Sequence, residues 1–140
     1  MAYKVIVDSC GELTEEMKKS GIFENVSLSM QVGTENIVDD ETFDQAAFLR
    51  KVAECKDAPK SSCPSPKQYM ERYLGPQERV YVVTLSAELS GSYNSAELGK
   101  KLFREEHGEE AGKKQIHVFN SCSASIGETL IALKVQECEE

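Results

Sequence analysis

Apolar residues recur along this chain in two periods, and the alternation between them outlines the fold. Lys4 to Val7 and Val80 to Leu85 are short runs rich in β-branched residues, the pattern of strands buried on both faces. Val26, Leu28, Met30 and Val32 alternate with polar residues and predict a strand over 26–32, after which Gly33-Thr34 turns the chain. Gln115 to Phe119 predicts a further short strand. Between these runs the period is helical. A short helix is predicted from Thr14 to Ser20, and a longer one to Cys55 on the stripe Phe43, Ala46, Ala47, Leu49, Val52 and Ala53, with Thr42 and Gln45 as its capping box. Ser65-Pro66 opens a third helix with Tyr69, Met70, Tyr73 and Leu74 on one face, halted at Gly75-Pro76. A fourth is predicted from Gly91 to Arg104, and a last one is capped by Ser123 or Ser125 and carries Ile126, Leu130 and Leu133. Asp57 to Pro64 reads as loop.

Strands alternating with helices imply crossover connections, hence an α/β fold with a parallel sheet flanked by helices. In such sheets ligand loops gather at the carboxyl ends of the strands, where Asp8-Ser9, Ser86 to Ser90 and Asn120-Ser121 all fall. The length of 140 residues fits one domain over 1–140. Lys134 to Glu140 lies inside a helical pattern with no stop signal, so the chain is expected to be half of something larger, ending within a helix.

Charge and cysteine usage narrow the function. A net charge of -8, with no basic patch to reverse the field, argues against nucleic acid or an anionic membrane as partner. The mixed charges from Arg104 to Lys114 read as a solvated helix end and loop. No run reaches the roughly 20 apolar residues of a membrane span, and Tyr3 to Val7 is unlike a leader, so a cytoplasmic protein is expected. Five scattered cysteines suggest free thiols rather than disulfides or a zinc clip.

The candidate chemistry lies in two hydroxyl-rich turns. Ser90-Gly91-Ser92-Tyr93 follows a strand and opens a helix, gathering hydroxyls and backbone N–H groups at a helix N-terminus, and Lys60-Ser61-Ser62-Cys63-Pro64-Ser65-Pro66 does the same some 30 positions earlier. Such turns can converge on one small anion. Plainer roles compete: Ser90 as a helix cap, Ser61 and Ser62 as turn residues before a proline, Asp8 as a loop-holding acceptor. A serine hydrolase would need a base in reach, yet His107 and His117 have no readable partner and no G-x-S-x-G elbow occurs. A phosphate or nucleotide-binding α/β module lacks both glycine-rich fingerprints, and no metal-ligand spacing is present. A pure interaction module remains if the site is incomplete.

Val5-Ile6-Val7-Asp8-Ser9, Ser61-Ser62-Cys63-Pro64-Ser65-Pro66, Leu89-Ser90-Gly91-Ser92-Tyr93-Asn94-Ser95-Ala96 and Val118-Phe119-Asn120-Ser121, taken in that order, resemble the DegV family of bacterial fatty-acid-binding proteins across nearly the whole chain. The resemblance implies the amino-terminal lobe of such a protein, with the second lobe absent. It further implies a carrier without catalysis or cofactor of its own. Its ligand would be a long-chain fatty acid such as palmitate, stearate or oleate, presented to an ATP-dependent fatty acid kinase. By that resemblance Ser61 and Ser90 hold the carboxylate, with Ser62, Gly91, Ser92, Asp8 and Ser9 in support and Ile126 and Leu130 against the acyl tail. The chain departs from the family pattern at Ser61 for Thr, Cys63 for Gln, Asn120 for Asp, and at Glu128-Thr129 after Gly127.

Overall fold

Every residue of β1 (Tyr3–Asp8) is buried, because the strand lies inside a parallel sheet with helices on both sides. The computed structural model describes residues 2–140. In the main sheet β1 pairs with β2 (Phe23–Val26) on one side and β6 (Arg79–Thr84) on the other, and β6 pairs with β7 (Gln115–Asn120), giving the order β2-β1-β6-β7. The two-residue side-chain period then splits the core. Ile6, Val80 and Val82 point to one face, against Tyr69, Tyr73 and Phe103 from α3 (Pro66–Arg72), its C-cap and α4 (Ser92–Gly112). Val5, Val7 and Val83 point to the other, against Met17 of α1 (Glu15–Ser20) and Ala132 and Val135 of α5 (Ile126–Glu139).

A second, three-stranded antiparallel sheet of order β4-β3-β5 projects beside the first, formed by β3 (Ser29–Val32), β4 (Glu35–Val38) and β5 (Lys60–Ser62). Val32 faces Glu35 across a two-residue turn whose Gly33 has φ +60°, a conformation glycine adopts without the Cβ clash. Helix α2 (Gln45–Glu54) follows this hairpin and buries none of its residues.

Several sequence expectations change in detail. The single strand over 26–32 is two: Val26 ends β2 opposite Asp8, Ser9 Oγ then accepts the Leu28 N–H at 2.9 Å, and the chain turns into the other sheet. Asp57 to Pro64 contains β5, a strand of Lys-Ser-Ser with no apolar alternation that exists because Met30 and its neighbours in β3 offer it a ladder. Asp44, not Thr42, caps α2, accepting from Ala47 N at 3.0 Å, while Thr42 gives both its N–H and its hydroxyl to Asp40. Helix α4 runs past Arg104 to Gly112, interrupted at Gly108 with φ +46°. Lys114 is buried rather than solvated, donating to Gly75 O and Gln77 O and so clamping the turn after α3.

Side-chain caps open two further helices, whereas Ser125, at the N-cap of α5, makes no capping bond. Thr14 accepts from Met17 N at the start of α1, and Ser65 makes a complete capping box with Gln68 ahead of Pro66 at the start of α3. Leu74, placed on the apolar face of α3 by its spacing, lies beyond the helix and is exposed.

Candidate functional site

The carboxyl ends of β1 and β6 and the start of α4 are tied together by one buried carboxylate. Asp8 Oδ2 accepts from Leu85 N at 2.7 Å and from Ser92 Oγ at 2.8 Å, and Asp8 Oδ1 accepts from Cys10 N at 3.2 Å. Ser92 Oγ also lies 2.5 Å from Tyr69 Oη. A carboxylate only accepts, so the Ser92 proton goes to Asp8 and the Tyr69 phenol donates to Ser92. The relay from α3 through α4 to β1 is closed and directional. Burial, then the Asp8 charge, drives the Tyr69 phenol far above its usual range, so it stays a donor.

This relay fixes the turn that bears Ser90. Ser90 N donates to Ser86 O at 3.1 Å, and Ser90 Oγ accepts from Ser92 N at 3.2 Å, which leaves its own proton uncommitted among the described residues. Ser90 is half-buried and Gly91 exposed, so both face solvent at the N-terminal end of α4. Ser92, by contrast, is fully buried and its hydroxyl is committed to Asp8 and Tyr69. Ser9 likewise uses its hydroxyl to hold the Leu28 amide.

The second hydroxyl cluster arrives beside the first. Ser61 and Ser62 lie exposed on β5, opposite Met30 and Ser29, and neither hydroxyl is bonded to another group among the described residues. The next residue, Cys63, closes the gap: its Sγ would stand 3.2 Å from a Cβ built on Gly91, and it lies 3.7 Å from Ser95 Oγ. A side chain at 91 would crowd the Cys63 thiol, which would have to give by a few tenths of an ångström. Cys63 thereby sets the segment bearing Ser61 and Ser62 beside the turn bearing Ser90.

A third loop completes the rim. Asn120 Oδ1 accepts from Ala87 N and Cys122 N, each at 3.1 Å, and Ser86 N donates to Ser123 O at 2.9 Å, so the loops after β6 and β7 brace each other. Cys122 and Ser125, with φ of 50° and 53°, hold the left-handed region without being glycine, a cost of about 1 kcal/mol or more each that the surrounding bonds sustain. Leu89, Ile126 and Leu130 are large apolar side chains left exposed near these loops or on the helix that follows.

Other chemistries find less here. His107 packs on Phe103 at 4.8 Å and His117 edge-on to Phe119 at 4.4 Å, each ring held by an aromatic neighbour. Among the described residues no group of three or more His, Cys, Asp or Glu side chains gathers to hold a metal, and no helix is long and apolar enough to cross a membrane.

Two residues escaped the sequence reading. Tyr69 counts there only as helix face, since nothing local tells a core tyrosine from one whose hydroxyl reaches a distant serine. Glu128 appears there only as a departure from a pattern, yet it is completely buried and lies against the Asp8 loop.

The family model described as uncharacterised protein, DegV family, matches residues 2–140. A DegV domain-containing protein of Streptococcus gordonii is 35% identical over 139 residues, covering 98% of this chain and 48% of that protein. Among solved structures, a DegV-family protein from Ruminococcus gnavus, refined with vaccenic acid, superposes with a TM-score of 0.94 at 62% identity, covering 99% of this chain and 49% of that one. The Streptococcus pneumoniae fatty acid kinase (Fak) B3 protein, loaded with linoleic acid, gives 0.77 at 32% identity, covering 98% and 50%. The chain thus spans about half the length of the relatives it matches.

Proposed function

Because this chain belongs to the DegV family, as the match over residues 2–140 establishes, we propose that it holds a long-chain fatty acid by its carboxylate and serves as a carrier rather than an enzyme. The observation that carries the reading is the meeting of two hydroxyl-bearing turns at Gly91 and Cys63, with the Ser90 turn anchored from behind by Asp8. A carboxylate offers about four lone-pair sites, which neutral hydroxyls and backbone N–H groups can fill. The N-terminal end of a long helix adds a favourable dipole of about half a charge. Ser61 and Ser90 are assigned to head-group contact, Ser62 and Gly91 to support. Ser92, Asp8 and Ser9 act one step back by fixing the turns.

The tail supplies most of the affinity. Each methylene removed from water contributes roughly 0.8 kcal/mol, so a chain of sixteen or so carbons outweighs a few hydroxyl contacts by far, and the hydroxyls chiefly orient the head. Exposed Ile126 and Leu130 are assigned to one side of that tail. The second lobe of longer family members would cover the other.

A carrier of this kind leaves its cargo's carboxylate reachable. In the proposed role a separate ATP-dependent fatty acid kinase in the cytoplasm transfers a phosphoryl group to that oxygen and forms the acyl phosphate. The carrier supplies orientation and exclusion of water from the tail. The solved R. gnavus and S. pneumoniae relatives, with their vaccenic and linoleic acids and the kinase in the latter's name, support the class of cargo and partner.

Native mass spectrometry of the purified chain, before and after addition of oleate, tests the assignment. A bound fatty-acid mass is expected, reduced several-fold by Ser90→Ala at unchanged circular dichroism. Absence of any adduct, or turnover of an activated ester that depends on Ser90, would overturn the carrier reading.

A further inference from the structure

Two phenols join α3 and its C-cap to α4. Tyr69 Oη lies 2.5 Å from Ser92 Oγ, and Tyr73 Oη donates to Ala96 O at 2.7 Å. The tyrosines are one helical turn apart and so are Ser92 and Ala96, which makes the two bonds successive rungs between the same pair of helices. Both rings are fully buried, and a buried hydroxyl stripped of its partner costs more than the bond it makes contributes, so each rung opposes a slip of one helix along the other. The rungs differ in what lies beyond them. Ala96 O is a backbone acceptor inside α4, and the bond ends there. Ser92 Oγ passes its proton to Asp8 Oδ2, which also takes Leu85 N, while Ser92 N holds Ser90 Oγ at 3.2 Å.

We infer that Tyr69 is a positioning residue for the head group: through Ser92 its hydroxyl holds the Ser61 segment and the Ser90 turn at one spacing, whereas Tyr73 only binds helix to helix. The inference rests on the carrier reading for its ligand. Only Cys63 and Pro64 separate the end of β5 from Ser65, the N-cap of α3. The reciprocal bonds of Ser65 with Gln68, and two prolines with fixed φ at 64 and 66, leave that connection little freedom. The strand end bearing Ser61 and Ser62 is therefore carried by α3, as Ser90 is carried by the start of α4. Tyr69 reaches from the first body to the second at Ser92, the residue whose amide Ser90 accepts. A carboxylate held by hydroxyls from both bodies depends on their separation, because a hydrogen bond weakens steeply once its distance and angle depart from the optimum.

Tyr69→Phe and Tyr73→Phe each delete one buried hydroxyl, so each is expected to lower the melting temperature by a similar few degrees. Retention of added oleate, read by native mass spectrometry, is expected to fall about three- to tenfold in Y69F, the range one hydrogen bond spans, and to stay within about twofold in Y73F. Because Tyr69 acts through Ser92, Y69F should cost nothing further in an S92A background, the non-additivity of a coupled pair. Hydrogen exchange at the Leu85 and Ser92 amides, followed without fatty acid, should quicken in Y69F and not in Y73F. Equal retention in Y69F and Y73F, additive losses in the Y69F/S92A pair, or unchanged exchange at both amides would each overturn the proposal. Should the unaltered chain retain no oleate, the carrier reading fails, and the exchange comparison still decides the positioning role. Should Y69F not fold, tyrosine labelled with 13C at Cζ in the unaltered chain decides instead. Bound oleate is expected to shift the Tyr69 signal and leave that of Tyr73, and a Tyr69 signal indifferent to bound oleate would overturn the proposal.

Discussion

The Ser92 hydroxyl donates to Asp8 Oδ2 at 2.8 Å although the two lie 84 positions apart in the chain, and both residues are fully buried. One short bond thus joins the end of the first strand to the first turn of the fourth helix. It matters because Leu85 N shares the same oxygen, so the loop between β6 and α4, with Ser90 on it, is held at its start and near its end by a single acceptor.

Asp8→Asn keeps the shape but replaces one oxygen with a donor, which must face either Cys10 N or the Leu85 and Ser92 pair. Leaving such donors unmatched in the interior costs about 2–3 kcal/mol. A urea midpoint lowered by roughly 1 M or more is expected, given a slope of about 1–3 kcal/mol per molar. An unchanged midpoint would show that the loop is held by other means.

Ser61→Ala removes a free hydroxyl from an exposed strand and should leave the melting temperature within about a degree, since exposed substitutions without partners change stability by about 0.5 kcal/mol or less. Retention of added fatty acid is expected to fall about two- to tenfold, the worth of one hydrogen bond. Ser61→Thr restores the donor and adds a methyl that limits its rotamers, so retention should match or exceed that of the unaltered chain. Equal retention in all three chains, read by native mass spectrometry, would remove Ser61 from the head group.

Gly99→Ala tests the packing that delivers Tyr69. A Cβ at 99 would lie 2.6 Å from Pro66 O and 3.0 Å from Tyr69 Cβ, so α3 must move away from α4. Overpacking of this kind costs about 1–3 kcal/mol, against a gain of up to about 1 kcal/mol for replacing glycine in a helix. A lower melting temperature is expected, with a shifted Tyr69 ring signal because its bond to Ser92 lengthens. A more stable variant would mean that α3 relaxes freely.

Much of the architecture was legible because burial on both faces leaves a strand no polar positions: Val5-Ile6-Val7 and Val80 to Thr84 announce themselves. The cap at Ser65 was legible because its acceptor lies within three residues of the amide it takes. Where two acceptors compete nearby, as Thr42 and Asp44 do, the side chain that reached the first helical amides took the role, and local sequence does not rank them. Strand β5 was illegible because its residues carry no period of their own; its partner β3 makes it a strand.

The same division runs through the candidate site. The sequence by itself determined the sheet's inner strands, the helices between them, the loops that fall at the strand ends, and the likeness to a family, since all of these rest on short-range spacing of side-chain types. The tertiary structure alone decided that Cys63 would lie against Gly91, that Ser92 would turn inward to Asp8 while Ser90 took the Ser92 amide, and that Glu128 would be sealed against the loop after β1. Those outcomes depend on contacts between residues tens of positions apart, whose energies exist only once the helices have packed on both faces of the sheet.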